Sequence, residues 1–68
     1  MNHVLSKTIL ISKVIELIAS EYGISINEAR DKLYNSKLIE LIDDDETGLY
    51  GESPLYVFSL FEDANSKK

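Results

Sequence analysis

A chain of 68 residues supports one domain, and a domain of this size buries only about 60% of the surface its unfolded chain exposes. The absence of cysteine and the single histidine exclude a disulfide framework and a thiolate or multi-histidine zinc centre. With 44% hydrophobic and 28% charged residues the composition is globular, and a net charge of -5, from 12 acids and 7 bases, sets the average field against nucleic acid and anionic lipid and in favour of a basic partner.

The apolar residues from Leu5 to Tyr22 recur at helical spacing. Val14, Leu17, Ile18 and Tyr22 mark one face, and Ile11 and Ile15 widen it until Lys13, Glu16 and Ser20 remain as the solvent side. So wide an arc exceeds what one antiparallel neighbour covers. The helix is expected either to sit centrally in a bundle or to pair with a second copy. Gly23 suits the left-handed residue that ends a helix. Ser25 and Glu28 then spell a capping box, with Ile24 placed to staple against Ala29. In the second helix Ile26, Ala29, Leu33 and Tyr34 form the expected buried side, with Asn27, Glu28, Arg30, Asp31 and Lys32 toward water.

Lys37 to Ile42 reads as a short third helix. The acids Asp43, Asp44, Asp45 and Glu46 are unfavourable at a helix C-terminus, so the run belongs to a loop that continues through Gly48 and Gly51. Leu55 to Phe61 is rich in strand formers. Its flanks favour a helix over 54–64, since Ser53-Pro54 is an N-cap followed by a first helical residue, and Glu62 to Asn65 continues a helical pattern. Val57, Leu60, Phe61 and Ala64 would line its inner face, with Tyr56 and Ser59 opposite. The expected fold is all-α, a compact bundle of three to four short helices forming a single domain over 1–68, with 66–68 frayed.

Ile18 to Leu33 is similar to a helix-turn-helix, with Ala19 four residues before Gly23 and Ile24 after it. Its last buried position falls on Lys32, with Leu33 displaced by one. Only Arg30 and Lys32 would reach phosphate, against Glu28 and Asp31, so a dimeric DNA-binding regulator is the alternative rather than the main reading. Counted from Asp43, acids at the first and third positions, Thr47 at the fifth and Gly48 at the sixth resemble a calcium loop. Pro54 stands at the twelfth, where the bidentate glutamate belongs. The run therefore reads as a solvated acidic loop, and no metal or cofactor is expected.

No grouping of residues suggests catalysis. Ser6, Ser25 and Ser53 sit where caps are needed, and His3 stands alone near one end and is expected to be exposed. Tyr22, Tyr34, Tyr50 and Tyr56 combine apolar area with a polar tip, which suits either core edges or interfaces, and Tyr50 and Tyr56 flank the glycine turn. No apolar run approaches the roughly 20 residues that span a bilayer, and the start lacks the features of a signal peptide, so a cytoplasmic location is expected.

The whole layout resembles a family of short uncharacterised bacterial helical proteins, antitoxin-like or adaptor-like, whose genes often sit beside toxin-like partners. The likeness is carried by the apolar first helix, the Tyr22-Gly23-Ile24-Ser25 corner, Glu28-Ala29, Leu38-Ile39-Glu40-Leu41-Ile42 and a final tyrosine-containing element. It implies an antitoxin-like or adaptor-like role, while the residues themselves point to a non-enzymatic module that binds another protein. From the residues, the expected anchors are Ile11, Ile15, Val57, Phe58 and Phe61. Glu40, Asp43, Asp44, Asp45 and Glu46 would steer a basic partner, with Tyr50 and Tyr56 beside them. A small domain with no covalent staple is also expected to self-associate, as a homodimer.

Overall fold

The computed structural model describes residues 3–66, with side chains from Leu5 to Ala64; the exposure expected of His3 and the frayed end expected at 66–68 lie outside these side chains. Among the described residues the fold is all-α. Its helices are α1 (His3–Tyr22), α2 (Ile26–Tyr34), α3 (Leu38–Asp43) and α4 (Pro54–Ser66), with two 3-10 turns, Asp45–Thr47 and Leu49–Gly51, between the last two.

α1 is the central rod. Leu10, Val14, Ile15 and Ile18 lie along one broad face and are buried, because α2, α4 and the Leu49–Gly51 turn pack around it. The wide apolar arc is thus covered largely within one chain. Gly23 at φ +66° ends α1, and the Ile24 amide donates to the Ala19 carbonyl at 3.1 Å, the long bond of a Schellman ending. Ile24 and Ala19 both pack against the core.

Two residues later the capping box closes. The Glu28 amide donates to Ser25 Oγ at 3.1 Å and the Ser25 amide donates to Glu28 Oε1 at 3.2 Å. Ala29 and Leu33 form the buried stripe of α2, but Ile26 and Tyr34, expected on that side, are 46% and 54% exposed. The correction follows from helix geometry. A nine-residue helix between two neighbours covers a narrow strip, and Tyr34 is turned about 100° from Leu33.

The segment after Leu55 is a helix, as its flanks indicated. The Tyr56 amide donates to Ser53 Oγ at 3.2 Å, so Ser53 caps α4. Val57, Phe58 and Phe61 are buried, and the Phe61 ring lies 6.1 Å from that of Tyr22 at 57°. Ala64 is exposed, against expectation. Phe61 already meets the last residue of α1, so nothing of α1 remains to cover it. No polar or charged side chain is buried among the described residues.

Candidate partner-binding groove

α1, the end of α2 and α3 meet around an open hollow of about 300 Å³ lined by Ile11, Tyr34, Ile39, Glu40 and Asp43. Ile11 and Ile39 are half-buried and packed on the core, forming an apolar floor. The Tyr34 side chain is 54% exposed. Glu40 and Asp43 stand three residues apart on α3, which puts both carboxylates on one helix face. The Glu40 carboxylate makes no ion pair among the described residues. An apolar floor, an aromatic face and two carboxylates can take the methylene stem and the charged end of a lysine or arginine together.

Beside this groove the acidic run is tied to α1. Lys7 Nζ donates to Asp45 Oδ1 at 2.6 Å and to the Asp43 carbonyl at 2.8 Å, and lies 3.8 Å from Asp43 Oδ1. It also stands 5.8 Å from the centre of the Tyr50 ring, within cation–π range. The hydrogen bond that Lys7 donates to Asp45 raises the Lys7 pKa above its ordinary value. Desolvation opposes it, and the charges of Asp45, Asp43 and Tyr50 add to the rise. The Lys7 side chain is only 16% accessible, whereas those of Asp43 and Asp45 remain 83% and 61% accessible.

The four acids consequently do different things. Asp44 Oδ1 accepts from the Glu46 amide at 2.9 Å and caps the first 3-10 turn. Thr47 Oγ1 lies 2.6 Å from the Leu41 carbonyl and 2.9 Å from that of Asp44, so its one proton serves the end of α3, while its oxygen accepts from the Leu49 amide at 3.2 Å. Asp45 holds Lys7, Glu46 is exposed, and Asp43 faces both Lys7 and the groove. All four acids are exposed, as expected of a solvated acidic run, but Asp43 closes α3 instead of lying in the loop, and an ammonium group stands at the carboxylates of the calcium-like spacing. Among the described residues no group of three or more His, Asp or Glu side chains is placed to hold a metal ion.

Ile11, Glu40 and Asp43 therefore come together, with Asp45 and Tyr50 nearby through Lys7. Ile15, Val57, Phe58 and Phe61 do not. At 6%, 0%, 7% and 0% exposure they are core residues, which corrects their reading as surface anchors. The reason is size, since so short a chain needs its large side chains to bury α1 and α4 against each other. Tyr56 is exposed on the outer face of α4, away from the groove residues. Ile39 and Lys7 are not singled out by the sequence, and Tyr34, one of the four tyrosines weighed for an interface, is not placed at this site by it. Tyr34 follows Leu33 in a pattern that reads as buried, Ile39 shares the apolar pattern of α3, and the partners of Lys7 lie 36 residues away.

On the opposing reading, Arg30 and Lys32 are both exposed on α2. Arg30 Nη1 donates to Asn27 Oδ1 at 3.1 Å, and the Glu28 carboxylate occupies the helix N-terminus where a phosphate would dock. No helix among the described residues is long and apolar enough to cross a membrane. No family model, no curated protein and no solved structure matches the chain.

Proposed function

We propose that this chain is a non-enzymatic protein-interaction module that captures a basic segment of a partner protein in the groove between α1 and α3. One observation carries the reading: Ile11, Tyr34 and Ile39 supply apolar and aromatic surface where Glu40 and Asp43 supply charge, in a molecule of net charge -5. Affinity comes from burying the floor residues, and the carboxylates select and steer a cationic side chain. An antitoxin-like or adaptor-like role, in which the partner is a basic protein, is the biological form of this proposal.

The probe is an arginine- and lysine-containing peptide of about ten residues with one aromatic residue, titrated into isotopically labelled protein at low salt. Saturable amide shifts centred on Tyr34, Ile39, Glu40 and Asp43 are expected, with none from a glutamate-substituted control peptide. Exchanging Glu40→Gln together with Asp43→Asn is expected to weaken binding by about tenfold. Shifts that never saturate, or that centre on α2 away from Tyr34, would overturn the reading. The DNA-binding regulator is tested in parallel by retention on duplex DNA, with Arg30→Ala and Lys32→Ala as controls. Salt-sensitive retention lost in both variants would replace the groove with that helix face.

A further inference from the structure

A second surface lies on the far side of α1. Lys13, Glu16 and Leu17 of α1 and Ser53, Pro54 and Leu55 at the start of α4 line an open groove of about 480 Å³. Leu55 is 68% exposed there, the highest value among the exposed large apolar side chains. Leu5 and Ile9, which are 56% and 47% exposed, precede Lys13 by two turns and one turn on the same stripe of the helix. Single exposed leucines are ordinary, but Leu17, Pro54 and Leu55 line one groove, and Ile9 lies one turn before Lys13 on the same side of α1.

We infer that this edge is covered by a second copy of the chain, related by a two-fold axis that crosses α1 between Lys13 and Glu16. The charges select this occupant. A closed two-fold interface must be self-complementary, so each residue meets a different residue of its twin and the reverse contact is made automatically. Two α1 helices laid antiparallel about that point set Lys13 of one copy against Glu16 of the other, twice. Leu17, Pro54 and Leu55 flank these pairs on both sides. A basic partner would gain from Glu16 and lose at Lys13, whereas a second copy satisfies both.

Area and orientation agree with this. A standard interface removes about 800 Å² per partner, roughly a sixth of the 4647 Å² this chain exposes. The stretch of α1 from Ile9 to Ser20, which is symmetric about that axis, is about 16 Å long, enough to span such a patch with the start of α4 beside it. Repulsion between two acidic copies is confined at physiological salt to a Debye length of about 8 Å. Ile11 and Lys13 lie about 200° apart around α1, so the seam leaves the α1–α3 groove uncovered. The dimer would present two outward-facing grooves, and a partner with two basic segments would gain by avidity.

The test is the mass of the full chain by sedimentation across a range of concentrations. The wild type is expected to shift from monomer to dimer. Lys13→Glu and Glu16→Lys are each expected to raise the dissociation constant by about tenfold or more, because each sets like charges together, with helicity unchanged at these exposed positions. Mixing the two variants is expected to restore a dimer, since each then supplies the charges the other lacks. Leu55→Asp is expected to abolish the dimer alone and in mixtures. A monomer at every concentration, a dimer indifferent to Leu55→Asp, or a mixture that stays monomeric would each overturn the inference. None of these outcomes depends on whether the α1–α3 groove binds a basic peptide.

Discussion

The corner between α1 and α2 and the segment between α3 and α4 both redirect the chain, but they are held by bonds of different reach. At the corner, Ile24 to Ala19, Glu28 to Ser25 and Ser25 to Glu28 span five residues or fewer. In the second segment, Thr47 and Asp44 make local bonds of the same kind, yet the run is docked by Lys7, which reaches the Asp43 carbonyl across 36 residues. The corner's directing bonds are therefore all supplied by its own residues, although Ala19 and Ile24 still pack against the core. The segment keeps its place only while α1 is folded beside it, which makes it the part expected to open first.

The largest perturbation acts beneath both regions. Phe61→Ala is expected to destabilise the protein by about 3–5 kcal/mol in urea or thermal unfolding, because a buried aromatic ring against Tyr22 leaves a cavity. A loss that size is most of the stability of a small domain, so the comparison itself should collapse. Gly23→Ala and Gly48→Ala come next. Their φ angles are +66° and +68°, and neither meets a neighbour at the added Cβ. Each is expected to cost about 1–2 kcal/mol of left-handed strain, which would show that the glycines do not distinguish the regions.

Ser25→Ala is expected to cost about 1 kcal/mol through the lost cap, and amide exchange should rise at the start of α2 with the acidic segment unaffected. Lys7→Met is the sharper instrument, although its effect on global stability is smaller. It should raise exchange across residues 43–51 and leave the corner protected, and high salt should mimic it in the wild type. Its pH dependence has a definite sign. Lys7 has a folded pKa raised above 10.5, so its contribution is complete below pH 10.5 and fades as pH rises through the folded value. The melting difference between wild type and Lys7→Met should therefore be constant at neutral pH and shrink in strongly alkaline solution. A difference that persists there would place the effect in packing of the Lys7 stem rather than in its charge.

Most of the helical architecture was legible along the chain. Ser25 with Glu28, Gly23, and Ser53 before Pro54 each announce an end or a beginning through groups close in sequence. The candidate groove was legible in part. Ile11, Glu40 and Asp43 were singled out by type and position, but that they share one hollow with Tyr34 and Ile39 follows from how α1, α2 and α3 are arranged. Asp43 to Glu46 look alike as a run of acids. Asp44 is set apart by a local cap, and Asp43 and Asp45 by the Lys7 that α1 brings to them.

By itself the sequence determined where the helices lie, how the corner is capped and that the molecule carries an acidic surface, because helix ends and net charge depend on neighbours within a turn or on composition alone. Tertiary structure decided which apolar residues are hidden. Ile15, Val57, Phe58 and Phe61 went inward while Ile26, Tyr34 and Leu55 stayed out, and Lys7 took hold of the acidic turn. Burial and ion pairing depend on surfaces brought together from distant parts of the chain, and periodicity along one helix reports its apolar faces without saying which neighbour will cover them.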